Sequence, residues 1–93
     1  MIRGFADRDT ARLWDEELVW RYPPDLRRNM MRKLMLLNVA RGLDDLRIPR
    51  GNRLKKLWGD REGQYSIRVN DQWRVCFRWE GNDAYDVELV DYH

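Results

Sequence analysis

Around residues 49–52 the hydrophobic pattern of this chain changes period, and that change orders its elements. Before Pro49-Arg50-Gly51-Asn52 the apolar side chains recur at helical spacing; after it they alternate. A period near 3.6 turns one apolar stripe of a helix toward a core, whereas a period of two puts apolar side chains on a single face of a strand. Helices come first, therefore, and an antiparallel sheet second. This is an α+β order, not a succession of βαβ units.

Residues 1–6 read as a short strand that offers Ile2 and Phe5 to the core. Asp7 or Asp9 suits the cap of a helix over 7–20, with Ala11, Trp14 and Leu18 at helical spacing. Tyr22-Pro23-Pro24 stops it, and Pro24 fits the first turn of a second helix over 24–40. Leu26, Met30, Leu34 and Leu37 share one face of that helix, and Gly42 follows its end. The alternating half predicts strands over 53–58, 64–69, 73–79 and 84–92, parted by Gly-rich turns at 59–63 and 81–83. The expected architecture is an N-terminal strand and a two-helix hairpin packed on a small, mainly antiparallel four- to five-stranded sheet. Ninety-three residues have room for one core, so residues 1–93 are expected to form a single domain.

Five Trp, four Tyr and two Phe supply more apolar area than a disordered chain carries. No apolar run reaches the length of a membrane span, and the first residues do not begin a signal peptide. A lone cysteine, Cys76, cannot form an internal disulfide and argues against a zinc site. A cytoplasmic protein with no membrane partner, metal or cofactor is expected. The net charge of +2 does not by itself point to nucleic acid. Its kind and placement do: the cations are Arg except Lys33, Lys55 and Lys56, and residues 26–43 and 46–59 contain no acid. Arginine's planar fork suits phosphate. A solvated helix face accounts for the first block; the second adjoins the sheet, where a ligand surface fits better.

Ser66, Arg68, Arg74, Cys76 and Arg78 alternate with the apolar positions and form the polar face of the sheet, which Lys55 or Lys56 can join. Cations pointing one way repel unless an anion or an acid answers them. Asp86 and Glu88 are available, and cross-strand ion pairing is the plainer alternative. The chain ends Asp91-Tyr92-His93, with the sole histidine last. The terminal carboxylate and Asp91 favour its charged form, although frayed termini are common. Proton donors and acceptors beside a cationic sheet suit cleavage of a phosphodiester by its own 2′-hydroxyl. One group takes the hydroxyl proton, another protonates the leaving 5′-oxygen, and Arg or Lys stabilises the phosphoryl oxygens. No metal is required, and the face offers cations, not the converging carboxylates of a two-metal nuclease.

Pro49-Arg50-Gly51-Asn52-Arg53-Leu54, Leu57-Trp58-Gly59-Asp60-Arg61, the run from Gly63 through Trp73-Arg74 to Phe77, and the ending Val87-Glu88-Leu89-Val90-Asp91-Tyr92-His93 closely resemble the HigB family of the RelE-like toxins. The resemblance implies the RelE-like fold and a toxin of a type II toxin–antitoxin pair, a ribosome-dependent endoribonuclease that cuts messenger RNA in the ribosomal A site. It implies a HigA-type helix-turn-helix antitoxin and, through that antitoxin, binding to operator DNA. It puts catalysis on Asp91, Tyr92 and His93, with Arg74 on the phosphate. Lys55 stands where a family pattern has histidine, which leaves the general base open. Lys55, Lys56, Arg53, Arg68 and Arg78 are then expected to bind RNA. A non-catalytic ribosome-binding inhibitor, or a chain acting chiefly within a repressor complex, are the alternatives.

Overall fold

A computed structural model describes residues 1–92; His93 lies outside the described residues. Helix α1 (Arg8–Trp14) begins where Asp7 accepts a hydrogen bond from the Thr10 backbone N–H. It stops six residues short of the expected end. Glu16 adopts a left-handed conformation at φ 64°, its N–H donates to the Leu13 carbonyl, and the Glu17 N–H reaches back to Arg12. This wrap usually uses glycine, and placing glutamate there costs roughly 1–2 kcal/mol. The chain then runs without regular structure and buries Val19 and Tyr22 in the core. Helix α2 (Pro24–Val39) opens on Pro24 as expected and buries Met30, Leu34 and Leu37.

The sheet is β1 (Lys55–Lys56), β2 (Gln64–Arg68), β3 (Trp73–Glu80) and β4 (Asp83–Asp91), antiparallel throughout and in chain order. The N-terminal strand is reduced to two parallel bridges, Ile2 with Ala84 and Phe5 with Val87. They flank β4 on the side away from β3, so the strand that carries the C-terminus has neighbours along both edges. β1 is shorter than expected, because Arg53 adopts a left-handed conformation at the end of the 3₁₀ turn Arg50–Asn52 and delays pairing until Lys55. No helix among the described residues is long and apolar enough to cross a membrane.

The helices cover one face of the sheet. Ile67, Val75, Phe77, Val87 and Leu89 join Met30, Leu34, Leu37 and Leu46 in one cluster. Burying a side chain of this size stabilises the fold by about 1.5–3 kcal/mol. Thr10, fully buried, ties α1 to β4 by accepting from the Leu89 N–H at 3.0 Å. Tyr22 packs edge-on against Trp73, with ring centroids 5.5 Å apart. Its hydroxyl is buried with no hydrogen-bond partner among the described residues, and burial pushes its pKa up. A buried unpaired hydroxyl costs free energy that a phenyl ring avoids. Tyr22→Phe is therefore expected to match or exceed the wild-type stability, by up to about 1 kcal/mol in urea unfolding. A loss of more than about 2 kcal/mol would show that the hydroxyl has a partner after all.

Candidate active site

The opposite face of the sheet is polar, and its register builds the site. Residues directly opposed on antiparallel strands share a face. Lys55 opposes Ser66, Ser66 opposes Cys76, and Cys76 opposes Glu88, giving one row across all four strands. Arg68, Arg74 and Val90 form the next. Tyr92, two residues beyond Val90, returns to this face, and its hydroxyl lies 3.8 Å from the Cys76 sulfur.

Arg74 is fixed by its neighbours. Its Nε donates to Ser66 Oγ at 2.7 Å, and its Nη2 donates to the Arg53 carbonyl at 2.6 Å. The left-handed turn at Arg53 presents that carbonyl, so the feature that shortens β1 also orients the guanidinium. Burial lowers the Arg74 pKa, with Arg68 and Arg53 adding to the effect against Tyr92 and Cys76. Arginine stays charged regardless. A half-buried cation held by neutral acceptors is poised for an anion.

Burial raises the Tyr92 pKa and the contact with Cys76 raises it further, while Arg61 and Arg74 pull it down. The net direction keeps the phenol protonated at neutral pH, the form that can donate a hydrogen bond. Burial likewise pushes the Cys76 thiol up. A buried, protonated thiol is a poor nucleophile, and Cys76 is the floor of the site.

The other expected residues divide. Lys55 joins the site face, whereas Lys56 opposes Tyr65 on the other face and sets its ammonium 5.1 Å over the exposed Trp58 ring. Arg53 is exposed beside Arg74. Arg68 opposes Arg74 and binds Asp71 at 2.5 Å. Arg78 stands four residues along β3 from Arg74, about 13 Å at ~3.3 Å per residue, past a bulge between Cys76 and Arg78. Asp86 at 2.8 Å and Glu80 at 2.9 Å already answer its charge, as the ion-pair alternative anticipates. Asp91 opposes Trp73 and accepts from the Gln72 side chain at 3.1 Å. Strand alternation therefore sends Asp91 and Tyr92 to opposite faces at the end of β4, although they are neighbours in sequence. His93 falls outside the described residues.

Arg61 is the cation that pattern reading misses. It closes the 3₁₀ turn Gly59–Arg61, and its Nη1 donates to Glu88 at 2.9 Å and to Gln64 at 3.2 Å. Its position inside a Gly-Asp-Arg-Glu-Gly turn signalled only a loop. No cluster of three or more His, Cys, Asp or Glu able to hold a metal occurs among the described residues.

Residues 3–93 match the family model described as the RelE-like toxin of type II toxin–antitoxin system HigB. The chain belongs to this family. It is 38% identical over 90 residues to Toxin HigB-1 of Vibrio cholerae serotype O1, covering 96% of this chain and 95% of that one. It is 29% identical over 93 residues, the whole of both chains, to Endoribonuclease HigB of Proteus vulgaris. A Haemophilus influenzae protein of uncharacterised activity is 34% identical over 67 residues, 72% of this chain and 66% of that one. Membership of the HigB-like family makes the chain the toxin of a type II pair with an antitoxin as partner, and the α+β architecture above is its RelE-like fold.

Proposed function

We propose that this HigB-like toxin is a ribosome-dependent endoribonuclease that cuts messenger RNA in the ribosomal A site. The observation that carries the reading is the convergence of Arg74, Tyr92 and Lys55 on one rigid sheet face, with Arg74 oriented by Ser66 and the Arg53 carbonyl. Identity along the full length of a protein named an endoribonuclease agrees with it. The 2′-oxygen attacks phosphorus and the bond to the 5′-oxygen breaks, leaving a cyclic phosphate and a 5′-hydroxyl. Arg74 stabilises the charge that develops on the non-bridging oxygens. Tyr92 donates a hydrogen bond to the phosphate and His93 carries the proton transfers, while Asp91, on the opposite face of β4, acts from outside the reacting atoms. Lys55, Arg53 and Arg68 hold the RNA backbone, with Lys56 and Arg78 as outlying contacts. Residues 1–93 act as one domain in the cytoplasm, neutralised by a HigA-type helix-turn-helix antitoxin through which the pair reaches operator DNA.

Expression of the chain without an antitoxin is expected to arrest growth, with primer extension showing message cut within ribosome-bound codons. Co-expression of the cognate antitoxin is expected to restore growth. Harmless expression would remove the toxin assignment. Arrest with intact message would replace cleavage by occupancy of the ribosome.

A further inference from the structure

The geometry points to an RNA-phosphate subsite at Arg61, with Glu88 as the residue that positions its guanidinium. The inference rests on the ribonuclease reading above and adds a binding group to it. Arg61 enters from the turn before β2, passes Gln64 on β2, and reaches Glu88 on β4. Glu88 opposes Cys76, the residue under Tyr92, so Arg61 lies over the same row of the sheet. Arg74 reaches the neighbouring position of that row from β3 through Ser66, so two guanidiniums from different elements serve one polar face.

Both side-chain hydrogen bonds of Arg61 among the described residues leave from Nη1. A guanidinium carries five N–H groups in a fixed plane, and carboxylate and phosphate accept them in the same forked manner. With Nη1 committed to Gln64 and Glu88, the Nε and Nη2 edges are set in direction and can receive a phosphate. The pair is neither fully buried nor free in solvent, at 32% and 28% side-chain exposure. An ion pair open to this extent contributes little stability. Stability alone is thus a weak reason for a long side chain to span two strands to meet an acid. Glu88 orients the cation and partly offsets its charge, so the two residues should act on RNA with opposite signs.

That opposition supplies the test. The probe is a single-stranded RNA oligonucleotide, 2′-O-methylated throughout so that it cannot be cut, read by fluorescence anisotropy across a potassium chloride series. Each cation lost from a single-strand contact lowers the log–log salt slope by about 0.7. Arg61→Ala is expected to lower the slope by about that amount and weaken binding roughly tenfold at low salt. Glu88→Gln keeps an oxygen for Nη1 and removes the opposing charge; it is expected to tighten binding several-fold. Arg61→Lys should recover the slope but only part of the affinity, having charge without the fork. A purely structural salt bridge predicts otherwise: both Arg61→Ala and Glu88→Gln lower the melting temperature and leave the salt slope unmoved, which overturns the subsite. Should Arg61→Ala fail to fold, the gain in Glu88→Gln decides, since misfolding cannot tighten binding. If the unaltered toxin neither binds the probe nor cuts ribosome-bound message, the ribonuclease reading falls and the subsite with it. If it does both and Arg61→Ala behaves identically, only the subsite falls.

Discussion

Arg74→Ala is expected to lower message cleavage by about 10²–10³-fold, the usual loss when a preorganised donor to developing charge is removed. The magnitude follows from how the side chain is held. Ser66 Oγ and the Arg53 carbonyl fix two of its edges before substrate arrives, so no reorganisation is needed as charge builds on the phosphate. The same contacts define the cost to the fold. Removing Arg74 deprives the buried Ser66 hydroxyl of its partner, worth about 1–2 kcal/mol, too little to unfold a domain of ordinary stability. Activity and stability therefore separate. Cleavage of message on programmed ribosomes should collapse while thermal melting shifts by a few degrees. Arg74→Lys sharpens the point: one ammonium restores charge but cannot satisfy Ser66 and Arg53 while gripping a phosphate, so activity should return only in part. An Arg74→Ala protein that cuts within about threefold of wild type would remove the residue from the proposed site.

How much of this was readable beforehand depends on what each residue answers to. The faces of β2 and β3 were legible, because alternation over Gln64–Arg68 and Trp73–Glu80 leaves one register that buries Ile67, Val75 and Phe77. That register set Arg74, Ser66 and Cys76 on the other face. α2 was legible from Pro24 and the spacing of Met30, Leu34 and Leu37. The end of α1 was not, since a left-handed glutamate carries no sequence mark that glycine would give. Nor was the truncation of β1, which depends on a left-handed Arg53. The ending Asp91-Tyr92 reads as a cluster on paper, yet a period of two divides it between faces. Arg61 was missed for a related reason. Its role arises from a partner twenty-seven residues away, and only the folded sheet brings Glu88 within reach.

Phe77→Ala is expected to destabilise the toxin by about 3–5 kcal/mol, a large share of the roughly 5–15 kcal/mol available to such a domain. Phe77 is fully buried at the centre of β3, stacked on Tyr65 at 6.3 Å and edge-on to Trp79 at 6.2 Å. Truncation removes its transfer free energy and leaves a void that flanking strands, paired on both sides of β3, have little freedom to close. Phe77→Leu keeps most of the volume and should lose clearly less. Urea unfolding measures both, with the midpoint falling and the slope unchanged if the native state stays compact. The consequence for chemistry is specific. Phe77 and Cys76 are adjacent on β3 and face opposite ways, so the strand that anchors the helices also carries Cys76 under Tyr92 and Arg74 against Ser66. Below its lowered melting temperature, Phe77→Ala should still cut message, because the register that sets Arg74 comes from backbone pairing along the whole strand. Above it, cleavage and folded structure should vanish together. Loss of cleavage well below that temperature would mean that the aromatic cluster itself, and not merely the strand it anchors, fixes the site.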